Sequence, residues 1–239
     1  MMLIHGRHPV VALLESRPED VRRLLLVDDD PVISRLAAEA GIAIERTTRD
    51  KLEALAKNPQ HQGIAAEAAE FPYADLDAVV PSDRPALVLA LDSVQDPHNL
   101  GALARSAECF GATGLIVPQD RAAQVTATAL KASAGALERL PVARVVNLVR
   151  ALEQLKKQGL WATGLAGEGR DALPKVDLTG PTVLVVGAEG EGMRPLVRKA
   201  CDRLAFIPMT GRTGSLNASV AGGIALAEAF RQRTVPSPP

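Results

Sequence analysis

The chain has 239 residues, 47% hydrophobic but only 3% aromatic, so any sizeable core must be aliphatic. A formal net charge of −1 excludes a generally basic, nucleic-acid-coating protein, and no apolar run reaches the length of a membrane span. Residues 1–75 hold 9 Lys and Arg against 13 Asp and Glu, so any basic surface in that part must be a local patch.

In chain order, residues 1–6 lack the charged and long apolar stretches of a secretory leader, which points to a cytoplasmic protein. Pro9 predicts a helix opening at His8, and residues 22–27 read as a strand. Asp30 before Pro31 caps a second helix, which Gly41 stops. A strand at 42–45, a helix at 48–57 and a strand at 63–68 complete a small α/β unit over residues 1–72. Residues 73–85 contain Pro81, Pro85 and several acids and read as an interdomain linker, with at most one helical turn at 75–80. The second unit, residues 86–233, opens on the continuous apolar run 86–91. Further runs at 114–117, 142–146, 160–165, 182–186 and 204–207 are separated by helical patterns at 98–110, 147–158, 193–200 and 217–231. That alternation predicts an α/β fold with a parallel sheet covered on both faces. Residues 234–239, rich in proline, are expected to be a loose tail. Cys109 and Cys201 match no metal-ligand spacing and read as free buried thiols in a reducing compartment.

Three segments carry chemistry. Gly187, Gly190 and Gly192 form a turn after an apolar strand, where backbone groups can face a ligand. Their register is wrong for a dinucleotide fingerprint, and no Gly-Lys-Ser/Thr follows to make a phosphate loop. The segment 92–105 places Asn99 six residues before Arg105, about 240° apart around a helix. Asn99 reads either as a first-turn residue or as a ligand group. Arg105, among Leu103, Ala104, Ala107 and Cys109, reads either as a solvated charge or as a buried cation needing an anionic partner, and its surroundings favour the second. Ser215 and Asn217 are both good caps for the final helix, which is a sufficient local reason for either. The turns at 187–192 and 213–219 together suggest a pocket for a small cofactor, with Met193 and Met209 as filler.

Together these segments resemble the SpoU (TrmH-type) family of RNA ribose 2′-O-methyltransferases of the SPOUT superfamily. Its first motif resembles Asn99 through Arg105, its second residues 182–192, and its third residues 207–221. The match covers residues 86–233. Residues 5–10 and 61–66 resemble the N-terminal domain of the subgroup that methylates a guanosine of 23S ribosomal RNA.

The resemblance implies a deep trefoil knot in the second unit and S-adenosylmethionine as cofactor. Thr163, Gly164, Leu165, Gly167, Gly187, Glu189, Gly190, Ile207, Met209, Ser215, Leu216 and Asn217 would line its site, with Gly187, Ile207 and Leu216 acting mainly through backbone groups. It assigns catalysis to Arg105, Asn99, Glu189, Ser215 and Asn217. Arginine essentially never deprotonates, so holding a phosphate and stabilising developing alkoxide charge suits Arg105 better than acting as a base. Glu189 is its expected partner. No metal is expected. A homodimer is, with the final helix or residues 131–136 as interface, unless both are plain core. The first unit would be a ribosomal-protein-like RNA-binding module, with Arg7, Arg22, Arg23 and His61 as contacts. The alternatives are a transfer-RNA guanosine or ribosomal adenosine substrate within the family, a nucleotide-dependent oxidoreductase, or a non-catalytic RNA-binding protein.

Overall fold

The computed structural model describes residues 1–211 and 214–234. The expected tail at 235–239 and Thr213 of the third motif lie outside the described residues, while Thr234 ends the last helix instead of opening the tail.

In the N-terminal part, β1 (Met2–His5), β2 (Val21–Leu26), β3 (Ile44–Arg46) and β4 (Ile64–Ala68) form a sheet in the order β1-β4-β2-β3. β4 runs antiparallel to β1 and β2, and β3 runs parallel to β2. Helices α1 (Arg7–Ser16) and α2 (Pro31–Glu39) bury Val10, Leu13, Ile33 and Ala37 against one face, while α3 (Arg49–Ala56) buries Leu52 against the other. Asp30 caps α2 as its sequence requires, accepting from the Val32 and Ile33 N–H groups. β1 escapes sequence reading because four residues, Met-Leu-Ile-His, show no alternation.

The second sheet contains β5 (Leu87–Asp92), β6 (Gly114–Pro118), β7 (Val142–Val145), β8 (Trp161–Leu165), β9 (Asp171–Ala172), β10 (Thr182–Gly187) and β11 (Arg203–Phe206). Its order is β7-β6-β5-β10-β8-β11-β9, and every pairing is parallel. Alternate residues face opposite layers. Leu87, Leu89, Leu91, Leu184 and Val186 meet α4 (Pro97–Cys109) and α9 (Ala218–Thr234), whereas Val88, Ala90, Val183 and Val185 meet α7 (Leu148–Lys157) and α8 (Pro195–Ala200). Two short helices, α5 (Ala127–Ala132) and α6 (Ala136–Arg139), have no counterpart in the sequence pattern. Arg233 secures the end of α9 by donating to the carbonyls of Pro85, Ala86, Leu178 and Gly180; burial lowers its pKa.

The two sheets share one continuous hydrophobic core. A Cβ on Gly135 would lie 2.5 Å from that of Ala12, so α1 meets the α5–α6 turn closely. Arg17 donates to both carboxylate oxygens of Glu138, at 2.7 and 2.9 Å, and that side chain is 1% exposed. Residues 131–136 are thus part of this internal junction. Residues 73–85 lie against the second sheet: Val79 is fully buried against Gly114, and the Thr113 hydroxyl donates to its carbonyl at 2.7 Å.

His5 and His61 are buried together at the edge of the first sheet. His61 Nδ1 accepts from the Gly63 N–H at 3.0 Å, which places the ring proton on Nε2. Burial, then Lys131 and His61, hold the His5 pKa below its ordinary value of 6.5. As pH falls below that value the unfolded chain takes up a proton that the folded chain resists, so stability falls until the folded pKa is passed. The thermal midpoint should drop as pH falls through about 6.5, and by less in His5→Phe.

Candidate functional site

β5 and β10 are neighbours, with Asp92 in register with Gly187, and both chains leave the sheet at the same end. Crevices outside the carboxyl ends of parallel strands are where open α/β sheets bind ligands. After Gly187 the chain turns back at once, closed by Ala188 N–H to Gly192 O (3.1 Å) and Gly192 N–H to Ala188 O (3.0 Å). Gly190 and Gly192 have φ of +78° and +69°, conformations that glycine adopts without steric cost. Asp92, fully buried, anchors this loop from below by accepting from the Arg194 N–H and Nε, both at 2.6 Å. Sequence reasoning misses this pair, although an acid ending a continuous apolar strand is a usable sign. Asp92→Ala leaves a part-buried N–H unpaired, but the Arg194 guanidinium is 41% exposed and recovers water. The expected cost is about 2 kcal/mol by denaturant unfolding, with weaker ligand binding by the loop above.

The three motif segments meet at one carboxylate. Asp96 caps α4 by accepting from the His98 N–H at 2.8 Å, which puts Asn99 in the first turn. Asn99 Nδ2 donates to Glu189 Oε1 at 3.0 Å. Asn217 Nδ2 donates to the same oxygen and to Asn99 Oδ1, the latter at 3.1 Å. Asn217 Oδ1 meanwhile accepts from the Ser219 and Val220 N–H groups, so one side chain both caps α9 and holds Glu189.

Two cavities flank Glu189. One of about 300 Å³ is walled by Leu165, Gly167, Gly187, Glu189, Gly190, Ile207, Met209, Ser215 and Leu216, with Val186, Met193 and Ala205 among its other lining residues. Glu168 and Arg198, which form an ion pair, also line it. The second, of about 320 Å³, shares Ala188, Glu189, Glu191 and Ala218 with the first and adds Ser93, Val94, Gln95, Asp96 and Asn99. The first has mixed apolar and main-chain walls suited to a nucleoside-sized ligand. The second opens on amide and carboxylate groups.

The model of the SpoU rRNA Methylase family matches residues 86–227, and that described as RNA 2'-O ribose methyltransferase substrate binding matches residues 3–74. The chain belongs to the SpoU rRNA methylase family. It is 44% identical to the 23S rRNA (guanosine-2'-O-)-methyltransferase RlmB of Photobacterium profundum, covering 98% of each chain. It is 45% identical to the enzyme of that name from Pectobacterium atrosepticum, covering 97% of this chain and 98% of that one. Among solved structures, the SpoU methyltransferase AviRb from Streptomyces viridochromogenes, in complex with AdoMet, matches with a TM-score of 0.83 at 30% identity, covering 97% of this chain and 90% of that one.

Several site residues expected in this SpoU methylase chain sit elsewhere. Thr163 is 1% exposed within β8, and Gly164 is pressed under Met193 and Cys201, where a Cβ would meet their sulfurs at 2.9 and 3.0 Å; neither lines either of these two cavities. Asn217 stands outside the first cavity, in the Glu189 network. Arg105 is exposed, lines neither cavity, and has no ion pair among the described residues, so Glu189 is held by two amides instead. Helical geometry explains this: Leu103, Ala104 and Ala107 take the buried face of α4 and leave position 105 outside it. Cys109 is exposed, not buried, whereas burial pushes the Cys201 thiol up to about 12. Of the expected RNA contacts, His61 is fully buried, Arg7 is paired with Asp30, and Arg23 with Glu45 and Glu67; Arg22 remains exposed. Among the described residues no cluster of His, Cys, Asp and Glu is placed to hold a metal ion, and no helix is long and apolar enough to cross a membrane.

Proposed function

We propose that this chain transfers a methyl group from S-adenosylmethionine to a ribose 2′-hydroxyl of RNA, and that the acceptor is a guanosine of 23S ribosomal RNA. The observation that carries the reading is the convergence of Asn99 and Asn217 on Glu189 beside a glycine-walled cavity. It occurs in a chain similar over nearly its whole length to guanosine 2′-O-methyltransferases.

The cavity residues fit the cofactor. Gly187, Ile207 and Leu216 would offer backbone groups and apolar walls to an adenosine, and Leu165, Met193 and Met209 would offer contacts to the methionine moiety. S-adenosylmethionine, when bound, supplies an electrophilic methyl on a sulfonium; the chain's own residues must position the acceptor oxygen and accommodate its proton. Asn99 and Asn217 hold Glu189 at Oε1, leaving Oε2 without a hydrogen bond among the described residues and available to a polar group in the second cavity. Arg105 holds the adjacent phosphate and stabilises alkoxide charge.

Arg105 does this in the site of a second subunit. The outward side of α9 exposes Val220, Ile224 and Phe230, at 48%, 38% and 43%, which is an apolar stripe suited to a homodimer. Ser106, next to Arg105, abuts Gly223 of the same helix: its hydroxyl would lie 3.5 Å from a Cβ there. A monomer in sedimentation at micromolar concentration would contradict this. The reading also includes the trefoil knot, in which the C-terminal segment passes through a loop, recognition of RNA by the N-terminal part, and a cytoplasmic location. Mapping ribose methylation in a deletion strain tests the substrate. Loss of a single guanosine methyl from 23S rRNA supports it, and loss from transfer RNA or from an adenosine overturns it.

A further inference from the structure

Of the three N-terminal arginines that sequence reading offers to RNA, Arg7 and Arg23 are neutralised within their own lobe, while Arg22 is exposed and has no ion pair among the described residues. Arg7, Arg23, Arg35 and Arg46 each face a carboxylate. Three further cations without a carboxylate partner lie at the carboxyl ends of β6 and β7, and the loop after β6 is hydrogen-bonded to Val94 of the second cavity's wall. Arg121, Arg144 and Arg150 are all exposed, and among the described residues none pairs with an acid, although Asp120 is adjacent in sequence.

The loop carrying Arg121 is rigidly built. Its first residue, Gln119, donates its N–H to Val145 O at the end of β7, at 2.8 Å. The Gln124 amide lies within 3.0 to 3.2 Å of the carbonyls of Pro118, Gln119 and Ala122, closing the loop on itself. Tyr73 supports it from the N-terminal side: its hydroxyl donates to Gln124 Oε1 at 3.2 Å and accepts from the Val125 N–H at 2.9 Å. The ring of the same tyrosine carries the Arg144 guanidinium, 4.3 Å from its centroid. Ala123 N–H to Val94 O, at 2.8 Å, ties the loop to a wall of the second cavity.

The backbone is also strained at this rim. Arg121 has φ of +57° and Ser93, in the cavity wall, has φ of +61°. Left-handed conformations at non-glycine residues persist only where surrounding structure imposes them, and they gather at ligand-binding sites. Here the clamp by Gln124 and Tyr73 holds an unpaired arginine in the loop whose Ala123 is bonded to Val94 of the Glu189 cavity. Val146, two residues after Arg144, is 80% exposed and adds a small apolar surface at the end of β7.

We propose that Arg121 and Arg144, held by the Gln124–Tyr73 clamp, form a phosphate track for the RNA strand that enters the second cavity. The proposal rests on the RNA methyltransferase reading above. Single-stranded or looped RNA is the fitting occupant, because its phosphates need spaced cations while its bases need exposed stacking surfaces. The two arginines set RNA affinity and direction of entry. They take no part in the methyl transfer, and they act independently of sequence.

The test uses full-length protein and a 23S rRNA transcript. Arg121→Gly is the preferred variant, since glycine removes the cation and relieves the positive φ, so the loop is retained. Arg144→Gln removes the second charge. The double variant should raise KM for RNA about tenfold near 0.1 M salt, with kcat and S-adenosylmethionine affinity unchanged. It should also flatten the dependence of log KM on log salt by about 1.4, because each arginine that neutralises a phosphate of a single strand adds roughly 0.7 to that slope. Arg121→Lys should restore most of the first effect. An active wild type whose variants keep wild-type KM and salt slope overturns the track alone. A wild type that binds S-adenosylmethionine but methylates no RNA overturns the function on which the track rests.

Discussion

Arg105→Ala should lower the turnover number for RNA methylation by about 10²- to 10³-fold while leaving S-adenosylmethionine affinity within about twofold. The basis is position. Arg105 lies outside both cavities of its own chain, so removing it takes nothing from their walls. It is exposed on α4, unpaired among the described residues, so its loss leaves no buried charge behind and the fold should be unaffected. If Arg105 serves the partner's site, complementation follows from symmetry. A heterodimer of one Arg105→Ala chain and one Glu189→Ala chain contains one site with both residues and one with neither, and should recover about half of the wild-type rate. If Arg105 instead serves its own subunit, both sites of that heterodimer lack one residue and the rate stays at the level of the variants. Equilibrium binding measured by calorimetry, with single-turnover rates on an RNA transcript, separates the two effects.

The sheet order of the second unit is only partly legible in the sequence. Its six longer strands announce themselves as apolar runs, most clearly β5, β6 and β10, because a strand buried on both faces has no polar side to show. β9, two residues long, carries no such pattern and forms only because β11 offers it an edge. Glycine turns read as ligand walls because φ and close approach are written in residue type. Partners of charged residues do not, because they depend on distant packing: charge alone matches Glu189 with Arg105, yet two neutral amides reach it first. Helix α4 explains the error. A run of Leu and Ala looks buried on every side in a linear reading, whereas the helix turns only part of it inward. The N-terminal arginines illustrate the same limit, since their ion pairs join residues as far apart as Arg17 and Glu138.

Gly187→Ala should abolish measurable S-adenosylmethionine binding, a loss of at least about 100-fold, and methylation with it. The cause is steric and not conformational, because φ at 187 is not in the left-handed region. An added Cβ would stand 2.2 Å from Gly192 C and 2.3 Å from Met193 N, which are backbone atoms that cannot rotate aside. The 188–192 loop would have to lift, carrying Glu189 away from Asn99 and Asn217 and Met193 away from Gly164, and so opening the cavity wall. Overpacking of this kind costs about 1–3 kcal/mol of stability, so the chain should still fold. Gly190→Ala is the matched control. Its φ of +78° makes alanine unfavourable by about 1 kcal/mol, but nothing lies within 4 Å of the new methyl and the loop keeps its place. Calorimetric binding should therefore be lost in the first variant and weakened only severalfold in the second, despite similar melting temperatures. Equal binding by the two would show that the close approach of Gly187 to Gly192 does not shape the cofactor wall.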